Sequence, residues 1–196
     1  MNLWRGVNVR LRGIEPEDAE TFYAWDSAET ETARMVEWVW PAGSLAQARQ
    51  WAERRATEES RNDEFFFAIE NAEGRLVGVI NTHSCDRRVG SFKYGVSVAP
   101  AFRGRGYATE AVLLVLRYFF DELRYQKATA EVYAYNERSA RFHERLGFVQ
   151  EGRIRRVVFS QGRHFDLLVF GMTVEEFHAR YPRSTEEDWL QRCLAR

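Results

Sequence analysis

The residues best suited to do chemistry lie between Val96 and Ala111. Val96-Ser97-Val98 reads as a strand that Pro100 ends, Arg103-Gly104-Arg105-Gly106 as a basic glycine turn, and Tyr107-Ala108 as the opening of a helix. Two glycines within three residues let bare backbone approach a ligand with no Cβ in the way. The first amides of the following helix have no intrahelical acceptor, and that end carries roughly half a positive charge. Arg103 and Arg105 add forked donors suited to phosphate oxygens. The segment therefore reads as a seat for a diphosphate held by main chain. Two familiar phosphate binders do not fit, because Thr109 stands where a dinucleotide fingerprint needs a third glycine or alanine, and no Gly-Lys-Ser/Thr is present. A plain helix start that uses glycine for tight turning is the competing reading.

The elements that must position this turn follow from patterning. Val7 to Arg12 alternates as a half-buried strand, and Pro16 opens a helix over Glu17 to Trp25. Ser44 with Gln47 forms a capping box for a helix to about Glu59, leaving Met35 to Pro41, with Trp38 and Trp40, as an aromatic connector. Phe65 to Ile69 and Leu76 to Ile80 flank a hairpin turn at Asn71 to Gly74, and the strand ending at Val98 comes next. The helix from Ala108 is apolar on several faces. A strand at Ala128 to Tyr133, a short helix from Glu137 to Leu146, and strands around Ile154 to Phe159 and Phe165 to Phe170 complete the sheet, the last two joined at Ser160-Gln161-Gly162-Arg163. Capping boxes at Thr173/Glu176 and Ser184/Glu187 predict two terminal helices around Pro182. The order implies α/β architecture, with a mixed sheet and helices on both faces.

Length and composition bound the function. At 196 residues with 45% hydrophobic side chains, the chain suits one domain, here expected over residues 1–181 with a helical extension at 182–196. A formal net charge of −1 gives no overall field toward nucleic acid or acidic lipid. No signal peptide or stretch of ~18 apolar residues is present, which predicts a cytoplasmic protein with no membrane partner. Cys85 and Cys193 match no metal or redox spacing, so no metal is expected.

A second block, Asn136-Glu137-Arg138-Ser139 through His143 to Leu146-Gly147-Phe148, follows the next strand. Together the two blocks resemble the GCN5-related N-acetyltransferase (GNAT) superfamily, in which Arg/Gln-x-x-Gly-x-Gly/Ala precedes Asn-x-x-Ser and a Leu-Gly-Phe ending. The tail from Gly147 to Asp166 is similar to the ribosomal-protein and polyamine acetyltransferase branch. The resemblance covers about Val7 to Phe177. It implies a mostly antiparallel sheet with a splayed central strand pair, acetyl-CoA as cosubstrate, and an amine acceptor, either a small molecule or a protein N-terminus.

On that resemblance, amides from Arg103, Gly104, Arg105, Gly106, Tyr107 and Ala108 hold the pyrophosphate. The Val96 to Val98 edge pairs with the pantetheine arm as an added strand. Asn136 bonds the arm or caps its helix, or both, and Ser139 touches the cofactor or merely lies in the first turn. His143 stands where relatives carry a tyrosine that protonates the departing thiolate, so it is either the general acid or a packed shape element. Lys93 occupies the position where relatives often show a basic glutamate, which leaves Glu37, His83, Glu131, Asp166 or a water chain to accept the ammonium proton. The connector with Trp38 and Trp40, the Gly162 hairpin, and Arg153, Arg155 and Arg156 are the candidate acceptor-side groups, with core packing the competing reading for the tryptophans and solvated strand-face charge that for the arginines. The implied reaction is direct amine attack in a ternary complex. A catalytically silent acetyl-CoA sensor is the alternative from another class. The late hairpin and terminal helices are compatible with a homodimer.

Overall fold

The computed structural model describes residues 2–28, 30–36, 39–183 and 189–195. Its elements are β1 (Val9–Arg12), α1 (Ala19–Ala28), α2 (Thr30–Val36), α3 (Leu45–Thr57), β2 (Phe66–Asn71), β3 (Leu76–Asp86), β4 (Ser91–Val98), α4 (Tyr107–Arg117), β5 (Lys127–Tyr133), α5 (Glu137–Leu146), β6 (Val149–Ser160), β7 (Arg163–Thr173), α6 (Val174–Arg180) and α7 (Trp189–Leu194). The strands form one sheet ordered β1-β2-β3-β4-β5-β7-β6. β4 and β5 run parallel, whereas β1–β2, β2–β3, β5–β7 and β6–β7 are antiparallel. This is the mixed, mostly antiparallel α/β sheet expected. Among the described residues no helix is long and apolar enough to cross a membrane.

Backbone proximity divides the chain into two compact units, one of Asn2–Asn81 with Val96–Leu114, the other of Thr82–Gly95 with Val115–Arg196. In the first, β1, β2 and the start of β3 form a meander whose second turn closes through Gly74 N–H to the Asn71 carbonyl at 3.0 Å, with Gly74 at φ +75°. Ile14, Ala19, Ala52, Ala68 and Leu76 make a core that Phe22, Trp25, Trp51 and Phe66 cover, with Phe22 edge-on to Trp51 at 5.0 Å. An ion cluster seals one side of that core. The Arg12 guanidinium donates to both Asp18 oxygens at 2.7 and 2.8 Å and to Glu70 at 2.7 Å. Although burial alone would raise both carboxyls, those bonds hold Asp18 and Glu70 below their ordinary values.

In the second unit β7 pairs with β5 on one side and β6 on the other. Phe92 stacks on Phe119 with centroids 3.9 Å apart, and Phe120, Tyr125, Phe170 and Phe177 extend the same core. The turn between β6 and β7 has Gln161 at φ +50° and Gly162 at φ +77°, two positive angles that match the right-handed twist of a tight hairpin. β4 pairs with β5 only at Ser91↔Lys127, Phe92↔Ala128 and Lys93↔Thr129 among the described residues, while β5 continues to Tyr133 along β7. The central parallel pair therefore opens after three rungs.

Several elements depart from the sequence expectation. The first helix is a tight turn at Pro16–Asp18 followed by α1 from Ala19, because Asp18 turns back to cap the Glu15 amide at 2.9 Å. Met35 and Val36 belong to α2 rather than to a connector; seven residues are too few for a periodic signal, and a Glu31–Arg34 pair at 3.2 Å supports the helix. Strands β6 and β7 reach well beyond their apolar centres, since backbone pairing in a hairpin continues through polar residues. Trp38, Glu37 and the Ser184/Glu187 capping box lie outside the described residues.

Candidate active site

Within the first unit, β4 ends at Val98, a tight turn spans Pro100–Phe102, and the glycine turn leads into α4. Gly104 and Gly106 adopt φ +79° and +83°, a left-handed backbone that side chains with a Cβ enter only under strain. An added Cβ at either would meet nothing within 4 Å, so both face open space. The first capping bond of α4 runs from the Glu110 amide to the Gly106 carbonyl at 3.1 Å. The amides of Tyr107, Ala108 and Thr109 precede it, with no turn of helix before them to accept their protons. A turn open at both glycines and followed by the first amides of a helix suits a diphosphate.

The two arginines of the turn differ. The Arg103 guanidinium folds back, donating from Nε to the Val98 carbonyl at 3.0 Å and from Nη2 to Thr32 Oγ1 at 3.1 Å. It braces the turn against the end of β4 and against α2, and the Val98 carbonyl already accepts one bond. Arg105 stays exposed, lying over the Phe102 ring at 5.8 Å with one long contact to the Ala101 carbonyl at 3.5 Å. Arg105 thus carries the charge that an anion would meet.

In the second unit the predicted cap forms, with Asn136 Oδ1 accepting from the Ser139 amide at 3.1 Å. That oxygen closes the helix start, and the Asn136 amide to the Tyr133 carbonyl at 2.8 Å turns the chain off β5. One turn on, His143 is 4% exposed. Its ring stacks on Phe170 and meets Tyr94 and Phe148 at 5.8 and 5.4 Å. Nδ1 lies 2.8 Å from the Ser139 carbonyl, and a carbonyl can only accept, so the proton resides on Nδ1. Nε2 is then a bare lone pair with no partner among the described residues. Burial pushes the imidazole down from 6.5 to about 4, against partial support from the Ser139 bond. A neutral ring that has already given its proton to the backbone is poorly set to act as the acid that the resemblance implied.

The candidate bases are also engaged. Lys93 Nζ reaches Glu131 Oε1 at 2.5 Å across the β4–β5 pair. Asp166 accepts from the Arg156 amide at 2.9 Å and from Arg153 Nε at 2.6 Å; the backbone bond first and Arg153 second hold this half-buried carboxyl below its usual range. His83 contacts Ser84 at 3.2 Å. Arg156 sits at φ +58° in a bulge of β6, which is how its amide reaches Asp166. Two features escaped sequence reasoning. Tyr94 is a buried neighbour of His143 whose hydroxyl has no partner among the described residues, and nothing local marks it. Glu110 is buried, and a carboxylate inside the apolar run of α4 was the available signal.

The chain matches the family described as acetyltransferase (GNAT) domain over residues 8–149, and it belongs to that family. It is 41% identical over 178 residues, 91% of this chain and 97% of the relative, to the SPbeta prophage-derived uncharacterized N-acetyltransferase YokL of Bacillus subtilis (strain 168). A GCN5-related N-acetyltransferase from Brucella melitensis superposes with a TM-score of 0.78 at 26% identity, covering 98% of this chain and 83% of that one. Spermidine N-acetyltransferase from Vibrio cholerae, crystallised with CoA and spermine, superposes at 0.74 with 21% identity, covering 88% and 99%. The chain is an N-acetyltransferase, and acetyl-CoA is its cosubstrate.

His143 makes a pH prediction with a definite sign. Its folded value near 4 lies below the unfolded 6.5, so the native form binds fewer protons, and stability present above pH 6.5 drains away as pH falls toward 4. The full loss is about 3 kcal/mol at ~1.4 kcal/mol per unit. Urea unfolding of His143→Phe at several values between pH 7 and 4.5 should show a clearly shallower slope than the parent; an equal slope would refute the buried neutral assignment.

Proposed function

We propose that the chain moves the acetyl group of acetyl-CoA directly to a primary amine within a ternary complex, with the turn before α4 as the anchor of the cofactor. The observation that carries this reading is the pair of left-handed glycines facing open space beside unpaired helix amides. Amides from Gly104 to Ala108 bind the diphosphate, with Arg105 adding charge and Arg103 bracing the turn from within. The Val96 to Val98 edge pairs with the pantetheine amides, and Asn136 and Ser139 contact the arm from their helix start. Acetyl-CoA supplies an acyl carbon already activated as a thioester. The protein's contribution is then mainly to hold that carbon and a neutral amine in line, and positioning of this kind can lower a barrier by about 7 kcal/mol or more. With Glu131 and Asp166 tied to cations, water takes the ammonium proton before attack, and when the acyl carbon–sulfur bond breaks the coenzyme A thiolate leaves and takes a proton from water. His143 serves as a packing and positioning group for α5 rather than as the acid.

The acceptor reading rests on the β6–β7 hairpin. A cavity of about 560 Å³ opens there among Ala134, Tyr135, Glu137, Arg153, Arg163, His164, Phe165 and Asp166. Arg153 neutralises Asp166 and Arg141 neutralises Glu137, while Arg163, the other cation of the lining, makes no ion pair among the described residues. Such a rim favours an amine that carries carboxylates nearby, such as an acidic amino acid or the N-terminus of an acidic peptide, over a polycation such as spermidine.

Two measurements test this reading. Gly106→Val should weaken coenzyme A binding in calorimetry by at least tenfold with the fold retained, since the side chain demands a strained φ and fills the phosphate space; unchanged affinity would overturn the anchor. In an amine panel, acidic acceptors should exceed spermidine in kcat/KM by about tenfold, the size expected from one screened charge contact. Preference for spermidine would overturn the acceptor assignment alone.

A further inference from the structure

Glu110, the fourth residue of α4, is 1% exposed and makes no ion pair among the described residues. Its Oε2 accepts from the amides of Val7 and Asn8, each at 2.9 Å, and its Oε1 from Asn8 Nδ2 at 2.6 Å. The segment it grips is the tip of a small loop, closed by Gly6 N–H to the Val9 carbonyl at 2.7 Å and Leu11 N–H to the Trp4 carbonyl at 2.8 Å. Through its own amide the same residue holds the Gly106 carbonyl. One side chain therefore joins the first turn of α4 to the start of β1.

We propose that Glu110 is a positioning residue for the cofactor turn, a buried carboxylate clamp that pre-aims the Gly104 to Thr109 amides at the diphosphate. This inference rests on the anchor reading given above. Two left-handed glycines make a turn that gains much freedom when it is not held, and a ligand would have to remove that freedom on binding. A clamp seated beyond the turn removes it beforehand and leaves the ligand-facing amides untouched. Three donors on one ionised carboxylate form charge-assisted bonds, stronger than neutral ones, and the helix start favours the negative charge. In Glu110→Gln, the one remaining oxygen still accepts from the Val7 and Asn8 amides but without charge, and Nε2 meets Asn8 Nδ2 unless the Asn8 amide turns over, so the clamp loses its charge-assisted bonds.

The sign of the effect distinguishes positioning from simple electrostatics. A carboxylate near an anion site repels it, so on charge alone Glu110→Gln would tighten coenzyme A binding. A clamp predicts the reverse. Calorimetry should give a dissociation constant for coenzyme A about tenfold higher in Glu110→Gln, with the KM for acetyl-CoA raised to match and kcat at saturation within about twofold. A purely structural role would lower the melting temperature yet leave affinity of the folded protein unchanged, which contradicts the proposal, as would tighter binding. Should Glu110→Gln fail to fold, Asn8→Ala, which removes a single exposed donor, is expected to weaken binding about threefold, and unchanged affinity there overturns the clamp. Gly106→Val measured alongside separates the two ideas. Lost binding in that variant with intact binding in Glu110→Gln refutes the clamp only, whereas intact binding in Gly106→Val removes the anchor on which the clamp depends.

Discussion

A helix that begins beside a strand end must leave its first amides without acceptors, and at the start of α4 no side chain among the described residues caps them. Every other device around the turn serves that condition. Gly104 and Gly106 supply the left-handed angles that present main chain without side chains. Arg103 is drawn inward to the Val98 carbonyl and Thr32, where it stiffens the approach without blocking it. Helices elsewhere in the chain show the contrast, since Ser44, Asn136 and Thr173 each satisfy the amide three residues on. The proposed anchor of the cofactor makes use of that uncapped start beside two glycines.

The sheet meets a matching requirement. A ligand that adds itself as a strand needs an unpaired edge inside a stable sheet, and such an edge normally closes on its neighbour. Here β4 and β5 pair for three rungs and then stop, while β7 secures β5 along its full length from the other side. The long β6–β7 hairpin extends that support outward. Ion pairs also occupy two carboxylates of the second unit, Glu131 through Lys93 and Asp166 through Arg153, and the proposed mechanism accordingly relies on placement more than on a strong base.

Local signals in the sequence carried much of this. The glycine turn, the Asn136 cap, the Ser44 and Thr173 capping boxes and the Gln161-Gly162 hairpin all depend on residues within four positions of one another, and short-range rules reach that far. What the sequence hid depends on distant partners. Arg103 reads as a phosphate ligand until Thr32, 71 positions away, claims one of its nitrogens. His143 reads as a titrating acid until Phe170, Tyr94 and Phe148 enclose it. The Glu110 carboxylate finds its donors more than a hundred positions earlier. Helix α2 was obscure for a different reason, being too short to show a period.

The most direct test of the account watches the amides themselves. Protein labelled with ¹⁵N-glycine carries 13 reporters, and titration with coenzyme A should shift the Gly104 and Gly106 resonances far more than the rest. Pantetheine, which lacks the diphosphate, should leave those two in place. Equal shifts with pantetheine, or a response to coenzyme A confined to other glycines, would contradict the claim that this turn grips the cofactor by its phosphates.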